Sequence, residues 1–248
     1  MGIISGSKHI NSIKMHTGPA NGKMPKLSKS RFVRGLQCLK ALFYECYHYD
    51  YRDELTEEQK KIFKQGTSIG VEAQKMFPGG ILIDEDWKHP KEAIKHTEEA
   101  LNSASSIYEA AFDFEDIVIR ADILVKNDDG WDMIEVKSTK SVKDVMITDV
   151  GTQLFVLNNN GIKIKDVYVM HMSPSFDYQN PDFSDIEKVF VKKNVNAPAH
   201  QFAQTIPSLL KEMKETIKSP DSEPAINIGE HCEKPYICPF YGHCHKTI

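Results

Sequence analysis

Between Ile117 and Ser138 the chain carries two strand-forming runs around Asn127-Asp128-Asp129-Gly130, a tetrapeptide suited to a tight turn. In the first run Val118, Arg120, Asp122 and Leu124 alternate with Ile117, Ile119, Ala121, Ile123 and Val125. This period of two predicts a strand, and Trp131 to Ser138 predicts its antiparallel partner. A turn centred on Asp128 and Asp129 sets Asp122 directly opposite Glu135, with Lys137 on the same face as Glu135. Carboxylates facing each other across a ladder repel, so the pattern asks for a neutralising partner. A divalent cation is the economical one: oxygen ligands suit Mg2+ or Mn2+, and the apolar neighbours Ile134 and Val136 put the pair on a buried strand. Lys137 is then placed to hold an attacking water or to offset charge on a phosphorus under attack. The competing reading is a solvated face with an ordinary Glu–Lys pair, because a register shift of one residue would undo the cross-strand pairing.

Around this hairpin the periodicity is mostly helical. Ser28 caps a helix whose apolar positions are Phe32, Leu36, Leu39, Leu42 and Phe43. Thr56 with Gln59 forms a capping box for a second helix carrying Ile62, Phe63, Ile69 and Met76 and stopped by Pro78-Gly79-Gly80. A third runs from Pro90 to about Ser103. After the hairpin come a helix over Val145–Leu157, a buried strand over Val167–Met172, a last helix over Ala199–Ile217 and a Pro-punctuated tail. Helices before and after a small sheet predict one α/β domain over 27–248, preceded by a flexible lead-in over 1–26.

No stretch reaches the roughly 18 to 20 apolar residues that span a bilayer. The opening Met1-Gly2-Ile3-Ile4-Ser5-Gly6 is too short and polar for a secretory signal, and Gly6 misses the myristoylation pattern. A cytoplasmic location with no membrane partner follows as the expectation. The net charge of −4 argues against a generic nucleic-acid binder, but it is unevenly spread. Lys8, Lys14, Lys23, Lys26, Lys29, Arg31, Arg34 and Lys40 all precede the first acidic residue, Glu45. A positive arm on an acidic body suits either a phosphate-backbone contact or a solvated tail.

Five cysteines occur: Cys38, Cys46, Cys232, Cys238 and Cys244. For a chain expected inside the cell, the evenly spaced run near the C-terminus reads as a metal or cluster site rather than a disulfide framework. Three thiolates there need a fourth from elsewhere to hold an iron–sulfur cluster. Zn2+ is the alternative, with His231, His243 or His245 completing a Cys3His set. Cys46 reads as a packed core thiol.

Asp122, then Glu135-Val136-Lys137, then Gln153 on the following helix together resemble the site of the PD-(D/E)XK nuclease superfamily. Leu27-Ser28-Lys29-Ser30-Arg31-Phe32 through Gly35-Leu36-Gln37-Cys38, the segment Gly66 to Gly80, and Cys232-Glu233-Lys234-Pro235-Tyr236-Ile237-Cys238-Pro239-Phe240 resemble its RecB-like iron–sulfur branch, to which the CRISPR-adaptation exonuclease belongs. The similarity runs from about residue 27 to 245. It implies a restriction-endonuclease-like core, a small mixed sheet flanked by helices, and hydrolysis of DNA phosphodiester bonds, as an exonuclease acting on single strands or duplex ends.

The resemblance further implies Mg2+ or Mn2+ held by Asp122, Glu135 and the backbone carbonyl of Val136. Lys137 would position the water, and Gln153 would orient Lys137 or a phosphate. Lys29, Arg31 and Arg34 would contact DNA. Cys38 would join Cys232, Cys238 and Cys244 around a 4Fe–4S cluster that clamps the tail, about 229–248, to the first helix. A helicase, integrase or other nuclease-complex subunit would be the protein partner. The family's helical His falls at Gly70, with Glu72 nearby but off the pattern, and the Tyr often found after the motif Gln is Leu157 here. A catalytically weak nucleic-acid-binding or partner-docking module is therefore the alternative.

Overall fold

The computed structural model describes residues 24–246. Lys8, Lys14 and Lys23 of the expected basic arm lie outside the described residues. In chain order the elements are β1 (Leu27–Ser28), α1 (Lys29–Gln37), α2 (Leu39–Tyr47), α3 (Glu57–Gln74), β2 (Ile81–Leu82), α4 (Pro90–Leu101), β3 (Ser106–Phe114), β4 (Ile117–Asn127) and β5 (Gly130–Lys137). There follow α5 (Asp144–Asn159), β6 (Ile164–Met172), α6 (Ile186–Val189), β7 (Phe190–Asn194), α7 (Asn196–Ala203), α8 (Ile206–Thr216) and α9 (Tyr241–Lys246).

The expected hairpin is β4–β5, paired antiparallel from Asn127↔Gly130 to Ile123↔Ile134. Its turn needs glycine: Gly130 has φ +144°, and a Cβ there would lie 2.2 Å from the Lys163 carbonyl oxygen. The hairpin sits inside a mixed seven-stranded sheet of order β2-β3-β4-β5-β6-β7, in which β1 also pairs with β4. β5 and β6 run parallel, as α5 crossing between them requires. β1 pairs in parallel with the start of β4, Leu27↔Ile117 and Ser28↔Val118, beyond the end of the β4–β5 ladder.

The two faces of the sheet feed separate clusters. Met133, Val167 and Val169 join the main core with residues of α1, α2, α4, α5, α7 and α8. Ile134, Met170 and Met172 join a second cluster with Ile69 and Ala73 of α3. Burying one such side chain is worth about 1.5–3 kcal/mol, against about 1 kcal/mol for a helix cap. Packing therefore overrides the local pattern in several places.

The helix expected from Ser28 onward is two helices, because Cys38 is extended (φ −164°, ψ 121°). The break sends Phe32 and Leu42 to the main core but Phe43 and Tyr44 to a third cluster with Cys238 and Phe240. The last expected helix is likewise two, α7 and α8, with Pro207 in the first turn of α8, where a continuous helix would place it against a carbonyl four residues back. The Thr56–Gln59 capping box forms as expected. Ile62 and Phe63 of that helix, however, are 58% and 57% exposed. β3 and β7 are strands that the residue pattern left unassigned.

The alternation along β4 also slips. Ile117, Ile119 and Ala121 face the main core, whereas Ile123 faces the second cluster and Leu124 the main core. Along β3 the same exchange occurs between Tyr108 and Ala110, across Glu109, whose φ is +56°. A left-handed residue inside a strand reverses the side-chain parity and is strained for any residue but glycine.

Candidate active site

The slip opens the sheet at Asp122. The β4–β5 ladder stops at Ile123↔Ile134, and the next bond across the gap is made by a side chain: Asp122 Oδ2 accepts the Val136 backbone N–H at 2.7 Å. Glu135 lies in the same gap with 2% of its side chain exposed. The expected neighbourhood of Asp122 and Glu135 is thus present, at a splay of the two strands rather than in a continuous ladder.

Two ammonium groups meet Glu135. Lys137 Nζ lies 2.6 Å from Glu135 Oε1 and 2.6 Å from Asp149 Oδ2. Lys29 Nζ lies 3.2 and 3.4 Å from the two Glu135 oxygens and 3.2 Å from Asp149 Oδ1. Gln153 is fully buried. Its amide nitrogen donates to Glu135 Oε2 at 2.6 Å and to Asp149 Oδ1 at 3.4 Å, while its carbonyl oxygen is buried with no hydrogen-bond partner. Gln153 therefore holds Glu135, where the resemblance implied that it orients Lys137 or a phosphate.

Asp149 is the residue the pattern missed. It sits four residues before Gln153 on α5, a spacing that brings two side chains onto one helical face. That spacing was the available signal. Glu109 was missed with its strand. Its backbone carbonyl accepts a 3.3 Å bond from Arg120 Nη1, and Arg120 also reaches the Ile83 and Glu85 carbonyls, so one guanidinium holds the strained turn of β3 against the segment after β2.

Carboxylates outnumber their cations here, and protons take up part of the excess. Burial, with Asp122 and Asp149 adding to it, pushes the Glu135 carboxyl up to about 7. Burial likewise raises Asp122, opposed by Lys29, and raises Glu109, opposed by Arg120 and Lys29. Burial would raise Asp149 too, but Lys29 and Lys137 outweigh it and hold that carboxyl well below its usual range. Both lysines lose to burial and gain more from the carboxylates, and both lie above the ordinary lysine value.

The other basic residues expected on DNA are engaged within the protein. Arg31 donates to the Lys26 and Glu45 carbonyls. Arg34 bonds the Gln37 side-chain oxygen and lies over the Tyr236 ring at 5.4 Å. Lys26 pairs with Asp113 at 2.8 Å.

Among the described residues, no three His, Cys, Asp or Glu side chains stand in a coordinating group. At the splay, the Lys137 ammonium stands between Glu135 and Asp149. The donor set nonetheless suits a hard cation: carboxylate oxygens in excess of positive charge, beside a buried amide oxygen without a donor. The expected cysteines, Cys38, Cys232, Cys238 and Cys244, border one cavity of about 700 Å³ with Lys40, Tyr44, His231 and His243, without being drawn into a coordinating group. Burial raises the Cys238 thiol to about 11. Cys46 lies apart, packed in the main core, as expected.

Fold and site define an α/β protein whose mixed seven-stranded sheet, flanked by helices, carries a buried carboxylate–lysine cluster where two strands part. The chain matches no family model and no curated protein. One solved structure, described as "Crystal structure of SSO0001", is similar over 92% of this chain and 88% of that one, at 12% identity and a TM-score of 0.44. At that score the likeness establishes neither a shared family nor a shared activity. Among the described residues no helix is long and apolar enough to cross a membrane.

Proposed function

We propose that the chain is a metal-dependent DNA nuclease of the PD-(D/E)XK type. The observation that carries this reading is the convergence of Asp122, Glu135, Lys137, Asp149 and Gln153 at one splay of the sheet. Asp122, Glu135 and the Val136 carbonyl would hold Mg2+ or Mn2+, with Asp149 as a further carboxylate. The cation, when bound, supplies charge for the phosphate oxygens and a more acidic water.

Gln153 fixes the rotamer of Glu135 through the Oε2 bond, holding that carboxylate where the strands part. Lys137, on a rigid strand, supplies a compact positive charge for the attacking water or for the phosphorus as negative charge builds. DNA single strands or duplex ends are the proposed substrate, and a helicase, an integrase or another nuclease subunit the proposed partner.

The four cavity cysteines are proposed to hold a 4Fe–4S cluster in a structural role, with Zn2+ as the competing occupant because His231 and His243 border the same cavity. A second reading, a module that binds nucleic acid without cutting it, is favoured by Gly70 in place of the family's His and by lysines already neutralising the carboxylates. The deciding experiment incubates anaerobically purified protein with end-labelled single- and double-stranded DNA and Mn2+. Cleavage lost in Glu135→Gln supports the nuclease; retained DNA without cuts supports the module.

A further inference from the structure

Lys29 was expected to contact DNA. The backbone around it is fixed beside the site: Leu27 N–H donates to the Asp116 carbonyl at 2.9 Å, and Ser28 Oγ caps α1 by accepting the Arg31 N–H at 3.3 Å. As the first residue of α1, Lys29 sends its side chain onto the carboxylate pair that Lys137 already bridges. Two ammonium groups on one Glu–Asp pair repel each other. The weaker holder is Lys29, at 3.2–3.4 Å against 2.6 Å for Lys137.

A hard cation needs these same oxygens at about 2.0–2.6 Å, inside the distance at which an ammonium sits. It would therefore displace an ammonium; the two lysines are equally exposed, at 24% and 26%, and Lys29 is the one held by the longer contacts. A displaced Lys29 stays at the N-terminus of a nine-residue helix, where its charge and the helix dipole act together on an anion.

We propose that Lys29 is a second active-site lysine: it neutralises Glu135 and Asp149 in the cation-free protein and passes to a phosphate oxygen of the substrate when a divalent cation takes those carboxylates. The phosphate half of this proposal rests on the nuclease reading; the exchange half does not.

The test is a Mn2+ titration without DNA, followed by calorimetry, on wild type, Lys29→Met and Lys29→Arg. Removing the competing charge should tighten Mn2+ binding by about tenfold or more in Lys29→Met, while Lys29→Arg, which keeps the charge, should bind no more tightly than wild type. Unchanged or weaker binding in Lys29→Met overturns the exchange. Should that variant fail to fold, the Lys29 side-chain nitrogen resonance of wild type decides: it must move on saturation with Mg2+, and a fixed resonance overturns the exchange.

With DNA and saturating Mn2+, Lys29→Met should lower kcat by about tenfold or more while DNA affinity changes by less than about threefold. An unchanged kcat overturns the phosphate role. Tighter Mn2+ binding in Lys29→Met with no cleavage by any variant would sink the nuclease reading and leave Lys29 as the cation's competitor alone.

Discussion

The Lys29 ammonium lies 3.2 Å from a carboxylate oxygen of Glu135, 106 residues further along the chain. This contact joins the start of α1 to β5 inside the sheet, so the first described helix is part of the site and its sequence is constrained by chemistry as well as by packing.

Asp122 has two duties that mutation separates. Asp122→Ala removes the acceptor of the Val136 N–H, and a buried unpaired donor costs about 1–3 kcal/mol. Asp122→Asn keeps an acceptor and loses the charge. Both variants should lose metal-dependent cleavage, but only the alanine variant should melt clearly lower. Equal melting of the two would show that the Val136 bond contributes nothing.

Lys137→Ala should lower turnover far more than DNA affinity, since one lysine adds little to a contact with many phosphates but acts on the transition state. Lys137→Arg should restore only part of the rate, because a planar fork cannot bridge Glu135 Oε1 and Asp149 Oδ2 as a compact ammonium does. Losses of similar size in affinity and rate would instead make Lys137 a backbone clamp.

The metal-free protein should lose stability as pH rises from about 4.5 to about 7. In that window folded Glu135 keeps a proton that the unfolded chain has released, so raising the pH favours unfolding. Asp122 and Glu109 are shifted in the same direction. Asp149, held low, is ionised in both states there; its contribution is present above the usual carboxylate range and disappears only as pH falls well below it. Melting temperatures from pH 5 to 8 should fall in wild type and fall less in Glu135→Gln. An identical slope in the variant would remove Glu135 as its source.

Protein prepared without oxygen should be brown, absorbing near about 400 nm with roughly four irons per chain. Changing Cys38, Cys232, Cys238 or Cys244 should bleach it, and changing Cys46, buried in the main core, should not. Colourless protein with one bound zinc would defeat the cluster while leaving the carboxylate site untouched.

The hairpin, the capping box and most helices were legible because each is a local pattern. Asp122, Glu135 and Lys137 were legible from the register and alternation of that hairpin, and Gln153 only through the family resemblance. Glu109 was invisible for a physical reason: a residue at φ +56° breaks the period that would have revealed its strand. Lys29 resembled any surface lysine, since nothing local to residues 27–37 says that β1 will pair with β4 beside the splay. The breaks at Cys38 and before Pro207 come from what the two halves of each helix pack against and, at Pro207, from ring geometry.

The Gln37 side-chain amide nitrogen turns its two N–H groups to three carbonyl oxygens of the closing segment, those of His231, Lys234 and Tyr236, at 2.8–3.2 Å. Pro239 and Gly242 add bonds to the backbone and the side chain of Asp53. These latches contain no sulfur. The closing segment is therefore tied to α1 and to the loop at Asp53 by peptide groups and one glutamine side chain, so a substitution at any of the four cavity cysteines leaves these ties in place.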